Sequence, residues 1–131
     1  MAGRMVVEIR GVDSLRDRLR MMRSHVREGT EAAAREAGRM GEATMKGLAP
    51  VDTGRLRDSI RHEVQGATVR LGPGDEIEYA IFQEFGTSRM AAQPYVRPTV
   101  EALRLVWPGL VAEHVNRAIR RRKRGRGGWR R

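Results

Sequence analysis

The sequence predicts an α+β fold in which a long N-terminal helix and a C-terminal helix pack on a small, mostly antiparallel sheet. Three observations indicate it: a helical period over residues 14–48, short strand-like segments over residues 62–82, and a second helical period after Pro98. The chain of 131 residues lies within the usual size of about 100 to 200 residues for one domain. We therefore expect a single domain over residues 1–119, followed by a disordered basic tail over residues 120–131.

The N-terminal part is predicted to be a short strand followed by a long helix. Met5 to Arg10 alternate apolar and polar side chains before Gly11, which is typical of a strand. Asp13 is a suitable N-cap for a helix from Ser14 to Leu48. Apolar or small residues recur there at steps of three and four, the period of one amphipathic helix. They are Leu15, Leu19, Met22, Val26, Thr30, Ala33, Ala37, Met40, Thr44 and Leu48.

This helix would be unusually long for so small a domain. At 1.5 Å per residue it would measure roughly 50 Å, more than is needed to cover its own sheet. We therefore expect part of it, with its small residues, to face a neighbouring subunit. Gly29, Gly38 and Gly41 each cost up to about 1 kcal/mol relative to alanine. They indicate a kink, a close approach of another backbone, or a locally weak helix.

Pro50 is expected to end the helix, because the residue before a proline disfavours helical geometry. After it, Asp52 or Thr53 can cap a short turn that begins near Arg55.

The central segments predict two or three antiparallel strands. His62 to Gln65 and Ala67 to Leu71 are short segments separated by Gly66. The turn-forming residues GPGDE at 72–76 follow, and then IEYAIF at 77–82.

Residues 84–98 are predicted to form a long ordered loop, because they are polar and interrupted by glycine and proline. Pro98 fits the first position of a second helix. Pro108 and Gly109 are expected to kink or split that helix. Its apolar residues are Val100, Leu103, Trp107, Leu110, Val111 and Ala118.

The net charge of +10 is concentrated at the C-terminus. Residues 1–115 hold 17 Lys and Arg and all 16 acidic residues, whereas residues 116–131 hold nine basic residues and no acidic one. Such a tail with an aromatic residue can neutralise phosphates and stack on a base without reading sequence. It could equally solubilise the protein or lie against an acidic protein surface. The candidate contacts are Arg120, Arg121, Arg122, Lys123, Arg124, Arg126, Trp129, Arg130 and Arg131.

Neither catalysis nor metal binding is indicated. The chain has no cysteine, and its three histidines do not stand at metal-ligand spacing. No serine has a recognisable base beside it, and Gly72 to Gly74 lack the helix and lysine of a phosphate-binding loop. Asp75, Glu76 and Glu78 are interpreted as a solvated hairpin tip. We expect no enzyme activity, cofactor or metal.

No stretch approaches the roughly 18 apolar residues of a membrane span, and the N-terminus lacks a long apolar block before a cleavage site. We expect a soluble, unexported protein without a membrane partner.

Three segments resemble a known family. The pattern P-x-x-T-G-x-L-x-x-S-I is matched by Pro50, Thr53, Gly54, Leu56, Ser59 and Ile60. A second pattern, Y-A-x-x-x-E-x-G-T, is matched by Tyr79, Ala80, Glu84, Gly86 and Thr87. A P-x-x-x-P loop follows with Pro94 and Pro98. Together with the long helix, over roughly residues 10–118, they resemble the tail-component family of long-tailed, lambdoid-type bacteriophages and prophages, also described as neck or tail-completion proteins.

The resemblance implies an α+β fold and a place in the ring-shaped neck through which DNA passes between portal and tail tube. It implies other neck, connector and tail proteins as partners, and a homo-oligomeric ring, hexameric by the symmetry of the tail. The protein would assemble in the host cytoplasm and end in the virion. No catalytic residue is implied, and the basic tail is not part of the family pattern.

The loop over residues 86–98 is the predicted subunit contact. Met90, Tyr95 and Arg97 are of types enriched at interfaces, and the prolines reduce the cost of ordering the loop. The motif residues also have an architectural interpretation, in which Thr53 caps a turn and Gly54 permits a tight entry.

The alternative function is a nucleic-acid-binding module that uses its C-terminal tail for affinity. Such a module would bind tightly with a steep salt dependence. Removing residues 120–131 would abolish its function, whereas a neck protein would still assemble through its body.

Overall fold

The computed structural model describes residues 12–51, 54–75 and 77–125, with side chains from residue 14 to residue 121. They form an α+β fold of four helices and one hairpin. The elements are α1 (Val12–Leu48), α2 (Arg55–Ser59), β1 (Arg61–Gln65), β2 (Thr68–Gly72), α3 (Ala80–Phe85) and α4 (Val96–Gly125). The predicted strand over residues 5–10 lies outside the described residues.

Helix α1 is one continuous helix, as the apolar period predicts. It ends at Leu48, two residues before Pro50, which confirms the predicted stop. It already includes Val12 and Asp13, so Asp13 lies in the first turn and the prediction that it is the N-cap is wrong. Sequence preferences place a helix end only to within one or two residues.

The face of α1 that packs inside the molecule is lined by small residues. Ala33, Ala34 and Ala37 are buried. A Cβ on Gly29 would lie 2.5 Å from the Cα of Val115 in α4. The glycines therefore permit a close approach of a backbone, one of the three predicted possibilities. The prediction that these small residues face a neighbouring subunit is wrong, because they contact their own chain.

The sheet is a two-stranded antiparallel hairpin. Arg61 lies opposite Gly72 and Gln65 opposite Thr68, and Gly66 makes the turn at φ 58°. The predicted third strand is wrong, since the second half of the 77–82 segment belongs to helix α3. The large apolar residues of that segment and of Phe85 are spaced three and four apart, which suits a helix better than a strand.

The core consists of two neighbouring clusters. One joins α1 to α4 through Ala33, Ala37 and Leu110. The other lies between the C-terminal end of α1, α2 and α3. Its buried members are Met45, Ala49, Leu56, Ile60, Ile77, Ala80 and Tyr95.

Helix α4 begins at Val96, two residues before the predicted start. Pro98 is its third residue, a position whose missing N–H would have no partner within the helix. The helix runs through Pro108 without interruption, so the predicted split does not occur. It continues to Gly125, so residues 120–125 are helical and the expectation that they are disordered is wrong. Residues 126–131 lie outside the described part of the chain.

Two side-chain contacts explain why α4 extends so far. Arg117 pairs with Glu113 one turn earlier, at 2.6 Å. Arg121 donates to Glu28 of α1, at 2.9 Å. The second contact holds the basic end of α4 against α1, an attachment that sequence periodicity does not reveal.

Candidate functional site

The first two motif segments meet in one shallow cleft. Its volume is about 450 Å³, and it lies between α2, α3 and the loop that follows α3. Its lining residues are Pro50, Gly54, Arg55, Leu56, Tyr79, Phe82, Gln83, Thr87 and Met90. Residues about 30 positions apart in the sequence therefore share one surface.

The first motif builds the short helix α2. Gly54 occupies the N-cap position with φ 80°, and no side chain caps the helix. Thr53, the predicted cap, lies outside the described residues, and the N-cap position belongs to Gly54 instead. Leu56 and Ile60 are buried in the core. The Ser59 hydroxyl donates to the Leu56 carbonyl at 2.7 Å, so this serine has a structural role.

Glu84 of the second motif holds the start of α4. Its carboxylate accepts backbone N–H bonds from Tyr95, Val96 and Arg97 at 2.8, 2.9 and 3.0 Å. Burial raises the pKa of Glu84, but these three donors and the nearby Arg97 guanidinium outweigh it and hold the pKa below its ordinary value. A negative charge at a helix N-terminus is stabilising. The sequence identified Glu84 as a motif residue but not this role.

The loop after α3 is ordered, as predicted. Gly86 has φ 73°, and a Cβ there would lie 2.7 Å from the backbone nitrogen of Ala92. The N–H of Thr87 donates to the carbonyl of Met90 at 2.8 Å. The N–H of Gln93 donates to the carbonyl of Gln83 at 2.8 Å. These bonds fix the loop against α3.

The three predicted contact residues in this loop have different positions. Met90 is 38% exposed at the rim of the cleft. Arg97 is exposed and lies 3.6 Å from Glu101. Tyr95 is 1% exposed, and its hydroxyl donates to the Ala80 carbonyl at 3.0 Å. The prediction that Tyr95 contacts another subunit is therefore wrong, because aromatic residues are favoured in cores as well as at interfaces.

Two surfaces expose large apolar side chains. The α1 stripe consists of Leu15, Leu19, Met22 and Val26, between 49% and 57% exposed. The α3 surface consists of Ile81, Phe82 and Phe85, which are 66%, 51% and 77% exposed. Sequence reasoning missed the α3 surface. Its signal was present, since both phenylalanines of the chain stand three residues apart in a segment rich in acidic residues.

The basic C-terminal residues lie partly on α4. Arg120 and Arg121 are exposed on its last turns. The helix backbone includes Arg122, Lys123 and Arg124. The remaining predicted contacts lie outside the described residues, namely Arg126, Trp129, Arg130 and Arg131.

Two histidine pairs tie other elements to α1. His62 of β1 contacts Glu42, and His114 of α4 contacts Glu36. Hydrogen bonds from Lys46 and His62 lower the pKa of Glu42. Among the described residues, no group of three or more His, Cys, Asp or Glu side chains could hold a metal ion. No described helix has the length and apolarity required to cross a membrane.

A family model described as "Bacteriophage HK97-gp10, putative tail-component" matches residues 13–86. The match extends from the start of α1 to the end of α3 and includes both segments that line the cleft. No curated protein matches the chain, and no solved structure matches it.

Proposed function

Because the chain belongs to the HK97-gp10-like family of bacteriophage tail components, we propose that it completes the tail at the neck and joins it to the head connector. In this proposal it is one subunit of a ring around the DNA channel, hexameric like the tail itself. It assembles in the host cytoplasm and remains in the virion. Its partners are copies of itself and other neck, connector and tail proteins.

The observation that carries the proposal is the amount of apolar side chain left exposed in the single chain. Monomeric soluble proteins rarely expose contiguous apolar patches larger than a few hundred Å². This chain exposes both of its phenylalanines on α3 and four large apolar residues on α1. A subunit that is buried on two sides in a ring would cover such residues. The cleft with Met90 at its rim is the candidate contact for a second neck protein.

Electron microscopy of particles from a phage or prophage that lacks this gene tests the proposal. The neck role predicts filled heads beside unattached or malformed tails, and normal particles when the gene is supplied in trans. Normal infectious particles without the gene would contradict it.

The alternative, non-specific nucleic-acid binding, rests on the basic segment that starts on α4. Its test removes residues 122–131 and keeps Arg121, because Arg121 pairs with Glu28. A nucleic-acid-binding module would lose its salt-dependent DNA affinity. A neck protein would still complete tails. A control with glutamine at the same basic positions separates the loss of charge from the loss of chain length.

A further inference from the structure

We infer that the α1 stripe of one copy docks on the α3 surface of a second copy, so that the chain associates head to tail. This inference rests on the proposed ring and specifies the contact that would close it. Among the described residues, these two surfaces expose the largest groups of apolar side chains that are close together in sequence.

The position of the two surfaces favours a contact between different faces. The α3 surface belongs to the end of the molecule where Ala80 packs with Met45. Met22 of the stripe lies 23 residues from Met45 along the same helix. At 1.5 Å per residue, this separation is roughly 35 Å. One chain can therefore bind a different neighbour at each end, and repeated contacts of this heterologous kind close into a ring or form a filament.

The charges around the two surfaces are opposite. Residues 14–27 around the stripe hold five arginines and one acidic residue, Asp17. Residues 74–85 around the α3 surface hold four acidic residues and no basic one. Asp75 and Glu78 are exposed there, as are Arg16, Arg20 and Arg23 beside the stripe. Opposite charges around two apolar centres favour their association.

The same charges disfavour the symmetric contacts. A stripe facing a second stripe would bring two arginine clusters together, and an α3 surface facing another would bring two acidic clusters together. Like charges facing each other across an interface are costly. The apolar side chains between the arginines also suit a protein surface better than a phosphate backbone. A second copy, bound head to tail, is therefore the occupant that fits both surfaces.

Two full-length double variants test this contact. The stripe variant carries Leu19→Gln and Met22→Gln, and the α3 variant carries Ile81→Gln and Phe85→Gln. The matched control is Leu105→Gln, since Leu105 is 84% exposed on α4 and belongs to neither surface. Light scattering after size exclusion measures the mass of each protein alone and of the two variants mixed. A thermal unfolding midpoint is measured for each.

The wild type and the control are expected to form oligomers, and each double variant is expected to be monomeric. An equal mixture of the two variants keeps one intact pair of surfaces, so it should form heterodimers that do not grow further. A symmetric contact would not give this result. Raising the salt concentration should weaken the association, because opposite charges contribute to it.

Three outcomes would overturn the inference. The wild type could remain monomeric, the variants could assemble like the control, or the mixture could remain monomeric. A midpoint lower for the stripe variant than for the control would show that the same chain covers the stripe, which also overturns it. Tails that still fail without the gene would then leave the neck function standing with another contact. Normal tails without the gene would instead refute the proposed function itself.

Discussion

The two halves of helix α1 carry opposite kinds of apolar residue and have opposite surroundings. Residues 28–48 pack against α4 and the hairpin through glycine, alanine and Met45. Residues 12–27 carry Leu15, Leu19 and Met22, which are larger and yet exposed. Burial therefore depends on how closely another backbone approaches, and small residues allow the closest approach. The larger residues remain available for a partner.

The largest expected effect compares two methionines of this helix. Met45 is 1% exposed and Met22 is 56% exposed. Met45→Ala is expected to reduce the free energy of unfolding by about 2 to 5 kcal/mol, because it leaves a cavity. Met22→Ala should change that of the monomer by no more than about 0.5 kcal/mol. Urea unfolding of both variants at a concentration where the protein is monomeric measures the difference. Equal losses would show that the two halves are packed alike.

The next comparison concerns two glycines of the same helix. A Cβ at Gly29 would meet the backbone of Val115 at 2.5 Å, whereas a Cβ at Gly47 would meet nothing within 4 Å. Gly29→Ala is expected to destabilise the protein by about 1 to 3 kcal/mol, since α4 must move away. Gly47→Ala should stabilise it by about 0.5 to 1 kcal/mol through helix propensity. Thermal unfolding should therefore shift in opposite directions, and shifts of the same sign would contradict the close approach.

Glu84 tests the connection between α3 and α4 at the packed end. Glu84→Gln removes the charge that accepts three backbone N–H bonds, and we expect a loss of about 1 to 3 kcal/mol at neutral pH. The pKa of Glu84 is lowered in the fold from its ordinary value of 4.5. Its contribution is therefore present above that value and is lost as the pH falls through the lowered pKa. The variant should show a smaller loss of stability in acid than the wild type.

Chemical denaturation between pH 7 and pH 2 measures this difference. Glu101→Gln is the matched control, because Glu101 is an exposed glutamate on α4 whose partner Arg97 is also exposed. An equal acid dependence in the wild type and in Glu84→Gln would contradict the capping role.

The smallest effect concerns the ion pair that joins the end of α4 to α1. Arg121 and Glu28 are both more than half exposed, at 65% and 51%. Arg121→Gln is expected to cost at most about 1 kcal/mol, because solvent screens exposed pairs. Amide hydrogen exchange in the last turns of α4 should increase more than global stability falls. Unchanged exchange would mean that the pair does not hold this end of the helix.

Local sequence signals were sufficient for most of the elements. The apolar period and Pro50 predicted the extent of α1, and Gly66 predicted the hairpin turn. The third strand was wrong because a six-residue apolar segment fits both a strand and one helical turn. The end of α4 was also wrong, since its contact with Glu28 joins residues that are 93 positions apart.

The site was predicted less completely. The two motif segments were recognised, but their convergence in one cleft depends on tertiary packing. Tyr95 was assigned to an interface because residue type does not distinguish an aromatic residue in the core from one at a contact. The exposure of Phe85 could not be predicted, since nothing local determines which side of so short a helix is covered.

By itself the sequence determined the α+β class, the long helix, the hairpin and the motifs of a phage tail component, because these depend on short-range periodicity and turn chemistry. Only the tertiary structure decided which face of α1 is buried, what Glu84 binds, and which large apolar side chains are exposed. The physical reason is that burial depends on which distant backbones approach one another. In this chain, glycines in α1 make that approach possible, and the apolar residues outside it stay at the surface.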